Sequence, residues 1–105
     1  MTVPVTVYVT AQADLDLEAI AEWIARDNPE RAVSFLNELA ETGELYAGNP
    51  DMGADRSELL AGVRSFTHGN YVAYYRRFRN GIQLVRVLHG RRERTGGAVA
   101  RGLED

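Results

Sequence analysis

The stretch from Glu58 to Glu93, ELLAGVRSFTHGNYVAYYRRFRNGIQLVRVLHGRRE, narrows the possible folds more than any other part of the chain. It contains three runs rich in β-branched and aromatic residues: Val63 to Thr67, Tyr71 to Phe78 and Ile82 to His89. Gly69-Asn70 and Asn80-Gly81 separate them, and Asn-Gly between apolar runs is a strong short-range hairpin signal. The second half therefore reads as an antiparallel meander, and whatever precedes it must cover at least one face of that sheet.

The first half supplies the cover. Val3 to Val9 is β-branched and aromatic, with Pro4 near its start, where a strand tolerates proline. Thr10 can cap a helix running to about Asp27, along which Leu17, Ile20, Ala21 and Ile24 form an apolar stripe that Leu15 and Trp23 widen. Asp14, Asp16, Glu18 and Glu22 share that helix and read as a solvated face rather than as paired catalytic carboxylates. Asn28-Pro29 then stops one helix and starts the next, which keeps Ala32, Phe35, Leu36, Leu39 and Tyr46 on one side until about Ala47. So short a junction makes a helical hairpin. The order is β-α-α-β-β-β, an α+β domain with two helices on one face of a small, mainly antiparallel sheet over residues 1–92. Residues 93–105 lack periodicity and read as a flexible tail, which would leave the other sheet face uncovered.

Charge divides the chain. Residues 1–60 hold twelve acids and three arginines, whereas residues 61–105 hold nine arginines and three acids, so net charges of −9 and +6 sum to the overall −3. Glu93 is the only acid between Arg64 and Arg94, which points to a polar partner on the basic half. All twelve basic residues are arginine, which excludes Schiff-base chemistry and a P-loop lysine. With no cysteine and only two histidines, no metal site or cofactor is expected. The N-terminus lacks the basic start of a signal peptide, and no apolar run approaches the roughly 20 residues of a membrane span. The expected location is the cytoplasm. Acid-rich helices would repel phosphate, so the helical hairpin is not read as a sequence-specific DNA reader.

The ordered set Ala13-Asp14-Leu15, Asn28-Pro29-Glu30-Arg31-Ala32, Asn49-Pro50-Asp51-Met52-Gly53, Glu58-Leu59, Gly62-Val63-Arg64, Tyr71 to Arg76 and Val85-Arg86-Val87-Leu88-His89-Gly90 resembles the ParE toxins of bacterial toxin–antitoxin operons, within the RelE/ParE superfamily. Two activities accompany this fold, and the site must choose between them. RelE-like members cut mRNA on the ribosome, whereas ParE-like members act on DNA gyrase and are not known as nucleases. The resemblance implies a cognate antitoxin encoded in the same operon. Acidic antitoxin residues are expected against Arg64, Arg76 or Arg77, and apolar ones near Leu15 or Trp23.

For gyrase, the expected contacts are Arg76, Arg77, Arg91 and Arg92, with no catalytic residue required. A nuclease reading would use Arg64, Arg86 and His89, with arginines stabilising phosphorane-like charge. A third alternative is an inactive homologue that only binds its antitoxin and helps regulate the operon. Each candidate also has a structural explanation. Arg86 lies among apolar strand residues and could pair with a helix carboxylate, His89 could simply end its strand, and His68 reads as an exposed turn residue. Of Tyr71, Tyr74 and Tyr75, at least one must face away from the helices.

Overall fold

A computed structural model describes residues 4–90 and 96–103. The order is β1 (Thr6–Val9), α1 (Ala11–Ala25), α2 (Pro29–Gly48), β2 (Ala54–Asp55), β3 (Val63–His68), β4 (Tyr71–Phe78), β5 (Gly81–His89) and a short α3 (Gly96–Ala100) that continues as a 3-10 turn, Arg101–Leu103. The five strands lie in the order β1-β5-β4-β3-β2, with β1 parallel to β5 and every other pair antiparallel. The α+β architecture expected from the sequence is thus present, with β2 an unexpected edge strand of two residues.

The helices start as expected. Thr10 Oγ1 accepts from the Ala13 N–H at 3.1 Å, and Asn28 Oδ1 accepts from the Arg31 N–H at 3.0 Å, with Pro29 in the first turn of α2. Ile20, Phe35 and Leu39 meet Phe66, Ala73, Tyr75, Ile82, Leu84 and Val87 in one core, with Ile24 packed against it. Tyr46 stacks on Phe66, centroids 4.5 Å apart and planes 10° apart. The apolar stripe is narrower than expected, however. Leu15 and Trp23 are 56% and 64% exposed.

The other sheet face is not bare, and this corrects the sequence reading. Val63, Val72, Tyr74, Val85 and Leu88 form a second core, completed by Val99 and flanked by Leu59, Leu60 and Leu103. Residues 96–103, read as tail, are packed on the sheet, with Val99 fully buried. The cover is too short for periodicity to reveal, and glycine lets it approach. A Cβ on Gly96 would collide with the Leu59 carbonyl oxygen, and one on Gly102 with that of Val85. Residues 93–95 and 104–105 of the expected tail lie outside the described residues.

A register shift between Tyr74 and Tyr75 leaves Val85 as the extra residue of a β-bulge in β5. Side chains alternate strictly along a regular strand, so one extra residue reverses their phase. Ile82, Leu84 and Val87 therefore face the helices, while Val85 and Leu88 face the second core. The bulge lies where β1 ends, since Val9 is paired with Leu84 and, among the described residues, no strand continues along that edge of β5 beyond it. The start of α1 fills that gap. The Thr10 N–H donates to the Leu84 carbonyl at 3.1 Å, and Thr10 Oγ1 donates to the Val85 carbonyl at 3.1 Å. Asp16 accepts the Val87 N–H at 3.0 Å.

The β4–β5 turn also differs from expectation. Phe78 is paired with Gly81, so Arg79 and Asn80 form the two-residue loop, and Arg79 takes a positive φ of 48°. Gly81 belongs to β5, where a Cβ would strike the Thr6 carbonyl oxygen. Glycine is required here by the approach of β1, not by the turn. Asn80 fastens β1 in place: its amide donates to the Pro4 carbonyl at 3.1 Å and to Thr6 Oγ1 at 3.0 Å, and its Oδ1 accepts from the Tyr8 hydroxyl at 2.7 Å.

Candidate functional site

The arginine-bearing strands place their charges on two faces. Alternation along β3 and β4 puts Arg64 and Arg77 on the helix side, where both reach Asp51 in the 3-10 turn Pro50–Met52 that follows α2. Arg77 contacts Asp51 at 3.1 Å, and Arg64 donates to the Asp51 and Gly53 carbonyls at 3.1 and 2.8 Å. Tyr75 stiffens the same loop from beneath, donating to the Pro50 carbonyl at 2.7 Å and accepting the Gly53 N–H at 3.0 Å. Burial pushes the Tyr75 phenol above its usual range, so it remains a donor. Arg76 points to the opposite face, where its Nε donates to Gln83 at 2.8 Å. The three arginines expected to meet the antitoxin thus do not form one surface.

Arg86 forms the salt bridge that its apolar neighbours require. Its Nε and Nη2 reach the two Asp16 carboxylate oxygens at 2.8 and 3.0 Å, and its Nη1 donates to the Ala98 carbonyl at 2.9 Å. The side chains of Arg86 and Asp16 are only 11% and 8% exposed. Asp16 is therefore not on the solvated face assigned to it from helical spacing. Spacing could not show that the outer edge of β5 is open at that height, nor that a carboxylate is needed there.

His89 sits at the far end of β5, its ring edge-on to Tyr71 with centroids 5.3 Å apart. The register places Arg64 beside Tyr75 and Leu84, and His68 beside Tyr71 and His89. Arg64 and His89 are therefore separated by four to five residues of strand, about 13–16 Å at roughly 3.3 Å per residue. With Arg86 held by Asp16, the three nuclease candidates do not converge on one reacting atom. His68, expected to be exposed, is held at 3.0 Å from Glu38 and lies edge-on to Phe35. Arg31, bonded to Glu38 at 2.7 Å, and then His68 hold the Glu38 carboxyl below its ordinary range.

Tyr74 faces away from the helices, as at least one tyrosine had to, but it is 1% exposed beneath the second cover and offers no stacking surface. Arg91 and Arg92 lie outside the described residues. Two apolar clefts flank α1. One, about 440 Å³, is lined by Val5, Val7, Val9, Leu17, Leu36 and Leu39 among others. The second, about 540 Å³, lies between Ala19, Ile20 and Trp23 of α1 and Tyr71, Val87 and His89 of the sheet, with Asp16 at its margin. Among the described residues no group of three or more His, Cys, Asp or Glu side chains could hold a metal ion. No described helix is long and apolar enough to cross a membrane.

The fold is thus a helical hairpin on a mixed five-stranded sheet in which, among the described residues, Arg64, Arg86 and His89 do not converge. Residues 7–94 match the family model described as ParE toxin of type II toxin-antitoxin system, parDE, and the chain belongs to that family. It is 36% identical over 80 residues to Toxin ParE1 of Caulobacter vibrioides (strain ATCC 19089 / CIP 103742 / CB 15), covering 75% of this chain and 80% of that one. It is 35% identical over 63 residues to Toxin ParE1 of Mycobacterium tuberculosis (strain ATCC 25618 / H37Rv), covering 59% and 64% of the two chains. A solved structure titled "Chromosomal ParDE TA system from P. aeruginosa" superimposes with a TM-score of 0.67 at 25% identity, covering 82% of this chain and 96% of that one.

Proposed function

We propose that this ParE-family toxin acts in the cytoplasm as a protein ligand that inhibits DNA gyrase, and that a cognate antitoxin encoded in the same operon neutralises it. The observation that carries the protein-ligand reading is the separation of Arg64, Arg86 and His89. RNA cleavage needs a base, an acid and phosphate-stabilising cations around one phosphodiester, and here the strands hold Arg64 and His89 apart while Asp16 occupies Arg86. Family membership favours gyrase over the ribosome. The proposed gyrase contacts are Arg76, Arg77, Arg91 and Arg92. The antitoxin is proposed to lay apolar side chains on Leu15, Trp23 and the clefts beside α1, and acidic ones on Arg64, Arg76 or Arg77. An amphipathic segment that folds on binding fits such a surface.

The test adds purified toxin to a gyrase supercoiling and DNA-cleavage assay and, in parallel, to translating ribosomes with primer extension on the message. Gyrase inhibition relieved by the neighbouring gene's product is the expected result. Cuts at A-site codons with gyrase unaffected would overturn it, and silence in both assays would leave an antitoxin-binding homologue. Charge reversal at Arg91 and Arg92 should weaken gyrase inhibition at least tenfold.

A further inference from the structure

The part of the second sheet face that α3 does not cover carries an arrangement of which the proposed function uses Arg76 alone. The registers align Tyr8, Gln83, Arg76 and Val63 in one row across β1, β5, β4 and β3, with Thr6, Gly81 and Phe78 in the row beside it. Tyr8 and Phe78 meet edge to face, centroids 5.2 Å apart, across the gap left by Gly81. The Arg76 and Arg79 guanidinium carbons each lie 5.2 Å from the Phe78 centroid, and that of Arg79 lies 5.8 Å from the Tyr8 centroid. Arg31, Arg56, Arg64, Arg77 and Arg86 all have carboxylate partners. Among the described residues Arg26, Arg76, Arg79 and Arg101 have none, and of these Arg76 and Arg79 lie together at Phe78. Both are also accessible, Arg79 exposed and Arg76 half-buried.

We infer that this platform binds single-stranded DNA without regard to sequence. Two adjacent guanidiniums without a carboxylate partner among the described residues suit successive phosphates, and turning to phosphate uncovers the two half-buried rings beneath them for unstacked bases. An acidic peptide would use the charges and leave the rings idle, whereas duplex DNA would present phosphates but no free base face. The Tyr8 hydroxyl donates to Asn80 and the Gln83 amide oxygen accepts from Arg76, which leaves guanidinium–phosphate and ring–base contacts to dominate. Those contacts are common to every base and to both sugars, so binding carries no sequence preference and no preference for RNA. The choice of DNA as partner follows from the proposed gyrase reading, but the contact itself needs no gyrase.

The experiment measures fluorescence anisotropy of a labelled oligo-dT of about twelve nucleotides with the purified chain alone, so gyrase inhibition and strand binding can fail separately. Competitors are the same length of duplex, oligo-rU and a poly-glutamate peptide. Saturable binding is expected, at least tenfold tighter for oligo-dT than for duplex or peptide, with oligo-rU equal or weaker. The log of affinity should fall against log salt with a slope of about −1.4, since each of two phosphates contributes about −0.7 on a single strand. Arg79→Gly removes one guanidinium at a backbone angle that glycine adopts freely, so binding should weaken about tenfold with no loss of thermal stability. Phe78→Leu should weaken it similarly, and Arg26→Gln, which removes one exposed charge on the far side of the sheet, should change it less than twofold. Absence of binding, preference for peptide, duplex or RNA, or equal loss with Arg26→Gln and Arg79→Gly would overturn the inference.

Discussion

The two faces of the sheet are covered by opposite means. The helix face is sealed by 35 residues in two long helices, each with a side-chain cap and an apolar stripe. The second face is sealed by a five-residue helix and a 3-10 turn, with one fully buried valine and two glycines set against carbonyl oxygens. Long helices gain stability from repeated apolar contacts and tolerate the loss of any one of them poorly but gradually. The short cover depends on close backbone approach, where a single added carbon suffices to lift it. Arg86 joins the two systems, since its guanidinium touches Asp16 on one side and the Ala98 carbonyl on the other.

That shared contact gives the largest expected effect. Asp16→Ala leaves a buried guanidinium and the Val87 N–H unpaired, and should destabilise by about 3–5 kcal/mol. Urea unfolding measures it, and a loss below about 1 kcal/mol would mean that the two covers are not linked through this pair. Gly102→Val comes next, at about 1–3 kcal/mol from overpacking against Val85. Hydrogen exchange should show residues 96–103 opening while the amides of α2 stay protected, and equal loss on both faces would erase the distinction drawn between them.

Thr10→Val keeps the shape but removes the α1 cap and the bond to the Val85 carbonyl, for about 1–2 kcal/mol. The smallest effect concerns the helix face alone. The Glu38 carboxyl is held low by Arg31 and His68, so the stability it contributes is present above the ordinary glutamate range and disappears as pH falls through the depressed folded value. The melting-temperature difference between the wild type and Glu38→Gln should be visible at neutral pH and vanish once the pH falls below the depressed folded value. A difference that persists into acid would assign the effect to packing.

The same contrast explains what could be read from the sequence. Helices α1 and α2, β3, β4 and β5 were legible because period and capping repeat over many residues, as with Ile20, Phe35 and Leu39 or Thr10 and Asn28. The cover at 96–103 was not, because one buried Val99 and a pair of glycines produce no period. Asp16 was misplaced for a related reason. A helical wheel assigns it to water beside Asp14, whereas the bulge at Val85 creates the buried partner, and a bulge leaves no mark in a sequence of alternating apolar residues. Of the candidate site residues, the chemistry of Arg86 was half visible in its apolar neighbours. The division of Arg64 and Arg77 from Arg76 follows from strand alternation and was available in principle.

The parallel pairing of β1 with β5 governs the order in which the chain can close. Thr10 and Val85 are 75 residues apart, and every partner of β1 in the sheet lies in β5. During synthesis at roughly 5–20 residues per second, the first strand waits about 4 to 15 seconds for the last one to be made. Until then α1 and α2 have no sheet to bury against, and neither cover can seat. The helical hairpin can form locally and early, but the completed sheet exists only once β5 has been made. The two clefts beside α1 that the antitoxin is proposed to fill have walls on β5, at Leu84 and at Val87 and His89, so neither exists before that moment.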